Sequence, residues 1–204
     1  MRFEHTEVYG FEGALRGMRN PLNSWDRTDS RYEDGKYIIG PNDLGLCGRL
    51  IDGGTEHRKF MRQIFVSVDI TAPIYWWSEY DTYKVGTVAN STSTMHTLSK
   101  FPIVKEMFEL DENEGEVWDN VIAALEKLRL QYNETKDYRY FRAMKQLLPS
   151  SFRQTRTCTM SYETLRAMIG QRRRHRLKEW SNDFIAWTRT LPYAAELLFR
   201  GYDD

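Results

Sequence analysis

Residues 60–71 read Phe-Met-Arg-Gln-Ile-Phe-Val-Ser-Val-Asp-Ile-Thr, a run dense in β-branched and aromatic side chains. Ile64, Val66 and Val68 fall on one face, and Phe65, Ser67 and Asp69 on the other. That period of two predicts a strand. Residues 72–83, Ala-Pro-Ile-Tyr-Trp-Trp-Ser-Glu-Tyr-Asp-Thr-Tyr, follow without a break. Pro73 suits the first turn of a helix, where its missing amide hydrogen costs nothing, and the aromatic side chains behind it can pack heavily.

Working outward toward the N-terminus, a polar stretch from Asn20 to Gly40 is punctuated by Pro, Gly, Asn and Asp, yet carries Trp25, Tyr32 and Tyr37. A loop of that length is either functional or mobile. Arg2–Phe11 alternates as a first strand, and Glu12–Met18 begins a helix before Pro21 intervenes. Asn42 or Asp43 can cap a short helix reaching Ile51, with Leu46 and Leu50 at helical spacing and Gly53-Gly54 as its stop. Toward the C-terminus, Val117, Val121, Ile122, Leu125 and Leu128 form one stripe of an amphipathic helix over residues 115–132. Residues 151–161 alternate as a strand, Tyr162–Gln171 is helical, and a charged helix from about His175 leads to the break at Leu191-Pro192. Strands alternating with helices predict an α/β (α+β) fold, a mixed sheet with helices. A chain of 204 residues fits one domain over residues 1–204.

Lys plus Arg and Asp plus Glu both number 29, so no global field draws the chain to nucleic acid or anionic lipid. An RNA or DNA site would have to rest on the cluster Arg172–Arg176 and nearby aromatics, and the neutral balance counts against it. Cys47 and Cys158 lie too far apart and too isolated for a disulfide framework or zinc spacing, which points to a reducing compartment. The N-terminus lacks the layout of a signal peptide, and no stretch is apolar enough to span a bilayer, so a cytoplasmic protein is expected. The glycosylation-like triplets at Asn90 and Asn133 are read as chance. The sequence has no GxGxxG fingerprint, P-loop or clustered metal ligands, which disfavours Rossmann cofactors, NTP hydrolysis and metallohydrolase chemistry.

The stretch from His57 to Met95 resembles the flavin-dependent thymidylate synthases. In that family a histidine opens a strand, an Ala-Pro-Ile-like helix start follows, and the segment ends in the signature RHRxxSxxxxSxRY. His57 falls on the opening histidine, Ala72-Pro73-Ile74 on the helix start, and Glu79 on a position commonly Gln or Glu. Thr82-Tyr83-Lys84 stands on the RHR triplet, where only the last basic residue survives. Thr87 and Thr92 take the two Ser positions, and Thr94-Met95 the closing Arg-Tyr. Leu148-Pro149, Thr159 and Arg172 resemble the family's LP, TxNxR and late helical Arg, with Ser161 and Glu163 replacing its Asn and Arg. The literal Arg174-His175-Arg176 is a coincidence, because Glu179 stands where a Ser belongs.

The resemblance implies FAD-dependent transfer of a one-carbon unit from methylenetetrahydrofolate to C5 of deoxyuridylate or a related pyrimidine nucleotide, with NADPH as a possible reductant. It implies a homotetramer with its active site between subunits. It places Glu79 and Lys84 in catalysis, and His57, Gln63, Thr82, Tyr83, Lys84 and Asn90 at the flavin. It places Thr87, Thr92, Arg172 and Arg173 at the nucleotide. Reduced flavin carries the chemistry in that family, so the lack of an obvious active-site Cys is compatible and argues against the unrelated Cys-dependent synthases. The residues themselves leave local alternatives. His57 can end the Gly53-Gly54 turn, Glu79 can pair with a neighbouring cation, and Trp76, Trp77, Tyr80 and Tyr83 can be core or a stacking platform. A non-catalytic nucleotide-binding or interaction protein is the rival reading, because Thr82 and Tyr83 remove charge from the signature. Trp76, Trp77, Tyr75 and Tyr80 lie on more than one side of their helix, which predicts that part of this surface meets a partner subunit.

Overall fold

The structure, a computed structural model, describes residues 1–111 and 115–202. Six strands and eight α-helices are joined by short 3-10 and π turns among the described residues. In chain order they are β1 (Arg2–Tyr9), α1 (Phe11–Arg19), β2 (Arg31–Glu33), β3 (Lys36–Ile38), α2 (Pro41–Asp52), β4 (Phe65–Pro73), α3 (Ile74–Tyr80) and β5 (Thr87–Ser91). There follow α4 (Thr94–Thr97), α5 (Gly115–Thr135), α6 (Tyr138–Leu147), β6 (Arg153–Ser161), α7 (Tyr162–Arg172) and α8 (Ile185–Arg189). One sheet has the order β1-β4-β6-β5, and β2 and β3 form a separate hairpin. This is the α/β class that the alternation of strands and helices predicts. Among the described residues no helix is long and apolar enough to cross a membrane.

The chain divides into two compact units, Met1–Arg2, Ile70–Thr82 and Asn90–Thr157 in the first and Phe3–Asp69, Tyr83–Ala89 and Cys158–Asp204 in the second. In the first, the core gathers Leu98, Ile103, Phe108, Leu125, Phe141 and Met144, with Val121, Ile122 and Leu128 against it. The α5 stripe is therefore real from Val121 onward. Val117 departs from it and is 70% exposed, because Trp118 turns inward instead, toward Phe108. Helix α6, which no sequence feature above announces, supplies Phe141 and Met144 to this core.

The aromatic helix α3 is internal to the first unit. Trp76 and Trp77 are fully buried and Tyr80 nearly so, with ring centroids about 5 Å apart. Trp77 Nε1 donates to the carbonyls of Ala72 and Gln154, and the Arg156 guanidinium lies 4.2 Å from its ring centre. The surface expected to meet a partner is thus covered by the chain itself, since each large ring finds its neighbours within the unit.

In the second unit, β4 begins at Phe65 rather than Phe60. Residues Lys59–Gln63 instead form a 3-10 turn that buries Phe60 and Met61 and packs against α1 and α7. Gly10, with φ of 96°, begins α1 there, and a Cβ on it would lie 2.2 Å from the Gln63 carbonyl oxygen. Only glycine accepts both that conformation and that approach. The expected long loop contains the hairpin, closed by Asp34 and Gly35, both at positive φ as a two-residue I′ turn requires. The expected charged helix after His175 is a π turn, Glu179–Phe184, running into α8, and it buries Trp180, Phe184 and Trp187.

Candidate functional site

An open cleft of about 720 Å³ lies wholly in the second unit, between the end of α1, the turns that follow it, α2 and the segment 56–63. That is the size range of cofactor and substrate sites. Asn42, Leu46, Arg49 and Leu50 reach it from α2, at positions i, i+4, i+7 and i+8 that share one helical face. His57 and Gln63 line it from the other side.

One buried ion pair shapes the cleft wall. Arg19 donates to Asp43 at 2.6 Å, and both side chains are almost wholly buried. Its other nitrogens donate to the carbonyls of Ser24 and Arg27 at 3.1 and 3.0 Å. Burial opposes the Asp43 charge, but hydrogen bonds from Ser30, Thr28 and Arg19, with the Arg19 charge, outweigh it and hold the pKa below the ordinary carboxylate value. Two opposite charges thus pin the turn that presents Arg27 to the cleft. Asp29 caps the start of α2 through the amides of Asn42 and Asp43 at 2.8 and 3.0 Å, which places Arg49 on the opposite wall.

Among the described residues the side chains of Arg27 and Arg49 have no ion pair or hydrogen bond, and neither do the His57 ring and the Gln63 amide. His57 is placed by its main chain, whose amide donates to the Gly54 carbonyl at 3.0 Å, and by packing of its ring against Gly53. Lys59 is 4.0 Å from Glu56, an exposed and weak pair. The cleft therefore offers two guanidiniums, an ammonium, an imidazole and an amide, an arrangement that suits phosphate or another oxyanion.

The remaining expected residues fall elsewhere. Tyr83, Arg172 and Arg173 are in the second unit, and none of them lines the cleft. The Arg172 Nε donates to the Tyr83 hydroxyl at 2.8 Å, and that hydroxyl donates to Gln171 at 2.8 Å. The same guanidinium lies 5.4 and 5.1 Å from the ring centres of Tyr83 and Trp180. Arg173 lies 4.9 Å from the ring of Tyr202, which Arg166 also faces at 4.6 Å. Lys84 is exposed and has no side-chain partner among the described residues, and Thr87 donates to the Tyr83 carbonyl. In the first unit, Thr82 donates to the Glu79 carbonyl at 2.7 Å and ends α3, and Thr92 donates to the Thr155 carbonyl at 3.2 Å. Asn90 is exposed on β5. Two departures from the resembled pattern carry structural roles: Ser161 caps α7 through the Thr164 amide, and Glu163 pairs with Arg58 at 2.9 Å.

No protein-family model and no curated protein sequence matches this chain. Among solved structures the fold is similar to flavin-dependent thymidylate synthase ThyX from Helicobacter pylori complexed with FAD and dUMP. The TM-score is 0.76 with 19% sequence identity, over 98% of both chains. A second structure of ThyX from Helicobacter pylori with FAD and dUMP gives a TM-score of 0.71 and 19% identity over 97% of this chain and 95% of that one. At such identity the likeness establishes the fold.

Proposed function

We propose that the chain is a divergent flavin-dependent thymidylate synthase, transferring a one-carbon unit from methylenetetrahydrofolate to C5 of deoxyuridylate or a related pyrimidine nucleotide. The observation that carries this reading is the cleft in which His57 and Gln63 meet the uncommitted guanidiniums of Arg27 and Arg49. This donor set fits FAD. Arg27, Arg49 and Lys59 suit its diphosphate, and the imidazole and amide suit the polar edge of a flat ring. FAD held by Arg27, Arg49, Lys59, His57 and Gln63 would, when reduced, supply hydride chemistry for the transferred one-carbon unit.

The protein's own part is to bind and orient. The Arg19–Asp43 pair fixes the main chain of the cleft wall, so Arg27 is carried on a set turn, while the exposed guanidiniums of Arg27 and Arg49 order when the ligand binds. Lys84, exposed beside Gly86 at φ 73°, supplies a further positive charge for the nucleotide. The supports for the nucleotide end are thinner. The hydroxyls of Thr87 and Thr92 donate to main-chain carbonyls, and Arg172 is held by Tyr83. That pairing favours the interaction-protein side of the second reading, a non-catalytic nucleotide-binding or interaction protein that keeps the fold without the flavin chemistry.

A visible spectrum of the purified protein separates the two. A yellow preparation that releases FAD on denaturation supports the enzyme, and a colourless protein that FAD cannot reconstitute removes it. Arg49→Ala should weaken FAD binding about tenfold or more, the loss of a charge-assisted bond worth roughly 1.5 to 3 kcal/mol. Lys84→Ala should instead weaken deoxyuridylate binding. Unchanged calorimetric affinities in both variants would eliminate this site assignment.

A further inference from the structure

A second pocket, of about 390 Å³, lies on the hairpin side of α1 and is lined by Trp25, Tyr32, Tyr37, Arg16, Glu12 and Arg31, with members of the Asp43 network completing it. Its aromatic wall is built by the turn chemistry of residues 31–38. Tyr32 and Tyr37 are directly cross-strand in the hairpin register, so their rings share one face. They meet edge to face with centroids 5.2 Å apart. Trp25 is set by its indole nitrogen, which donates to Asn20 Oδ1 at 2.9 Å, and the Tyr32 hydroxyl donates to Glu12 at 3.1 Å.

These rings are large and wet. Trp25 is 47% exposed and Tyr32 60% exposed. Two exposed rings, backed by the half-buried Tyr37 and held in place around a concavity, form a stacking surface that nothing in the second unit fills. The charges are unequal in availability. Arg19 is bound to Asp43 and Arg31 is paired with Glu33. Arg16 has no ion pair or hydrogen bond among the described residues, so one guanidinium faces the pocket uncommitted. One available cation beside a stacking platform selects a single anionic group attached to a flat ring. A nucleic-acid strand would need a row of them, and here Asp26, Asp29, Glu33 and Asp34 intersperse the basic residues.

We infer that this pocket is a binding site for a purine mononucleotide, its base stacked against Trp25 and the hairpin tyrosines and its phosphate held by Arg16. Purines offer the larger face for stacking and so suit a platform of three rings. The site adjoins the Arg27–Arg49 cleft at Arg19, which lines both, and it does not depend on the flavin reading.

Calorimetric titration of the full chain with adenosine monophosphate tests it, alongside Trp25→Ala, Trp25→Phe, Arg16→Ala and Arg49→Ala. The expected result is saturable binding that weakens about tenfold or more in Trp25→Ala and in Arg16→Ala. Trp25→Phe should restore most of it, and excess deoxyuridylate should leave it unchanged. Loss of FAD affinity confined to Arg49→Ala would distinguish the two sites. Binding lost in Arg49→Ala but kept in Trp25→Ala would move the nucleotide to the cleft and overturn the inference. Tighter, salt-sensitive binding of an oligodeoxyadenylate would replace it with single-stranded nucleic acid, and no binding at millimolar nucleotide would end it. Circular dichroism of each variant guards against loss of fold.

Discussion

The Arg19–Asp43 pair shows how one residue reaches across the second unit. Asp43 accepts from Arg19, Thr28 and Ser30 at once, so it joins α1, the turn after it and α2 at a single buried point. Asp43→Ala leaves the Arg19 charge buried without its counterion, and it should cost about 3–5 kcal/mol. Urea unfolding measures this, and a loss below about 1 kcal/mol would show that the pair is not holding the wall. The pH dependence has a definite sign. The folded pKa of Asp43 lies below its unfolded value, so its contribution is fully present above the ordinary carboxylate value of about 3.9 and fades as pH falls through the lower folded pKa. Wild type and Asp43→Ala should therefore converge in stability as the pH drops below about 4. Little of this was legible from the chain, because the pair spans 24 residues and neither partner sits in a motif. The same distance hides Tyr83 from Arg172, 89 residues apart. Arg49 went unread, although its spacing from Asn42 and Leu46 along α2 places it on their face.

At the scale of elements, α3 was legible as a helix and misread as a surface. Residues 72–83 read as a Pro-started aromatic helix, yet β4 runs on through Pro73, which precedes α3 in an extended conformation, and the helix ends at Tyr80. Nor does sequence say whether rings on several sides are met by the same chain. The structure meets them with the Gln154 carbonyl, the Arg156 guanidinium and the rings' own edges. Trp77→Ala should thus act as a core truncation, costing about 3–5 kcal/mol by transfer and cavity terms together. Thermal and urea unfolding check this, and an unchanged midpoint would mean that the ring is not internal. The other misses have equally local causes. Alternation continues through residues 60–64, yet a 3-10 turn wins there because it buries Phe60 and Met61 against two helices. The hairpin carried its signal in Asp34-Gly35, and its strands are too short for periodicity to register. Helix α6 is short and polar on its outer face, and only Phe141 and Met144 are buried along it.

At the scale of the molecule, the expected homotetramer rests on resemblance, and α3 no longer supplies its surface. Other candidates remain. Along α5 only Leu125 and Arg129 are buried among the described side chains, while Val117 and Leu130 are 70% and 53% exposed. β5 is an edge of the sheet, and an edge strand invites pairing unless something covers it. Closed symmetric assembly is the usual way a chain covers such features. Light scattering coupled to size exclusion should give a multiple of the 24.2 kDa chain mass at micromolar concentration. A double substitution, Val117→Glu with Leu130→Glu, should lower that mass while changing the unfolding free energy of the separated chain by no more than about 0.5 kcal/mol per substitution, because both side chains face water in the isolated chain. Trp77→Ala should do the reverse, lowering the midpoint with no direct effect on mass. A mass near 24.2 kDa across the concentration range would remove the tetramer and any site completed by a second chain. It would leave the Arg27–Arg49 cleft untouched, since every group that lines it belongs to one compact unit of a single chain.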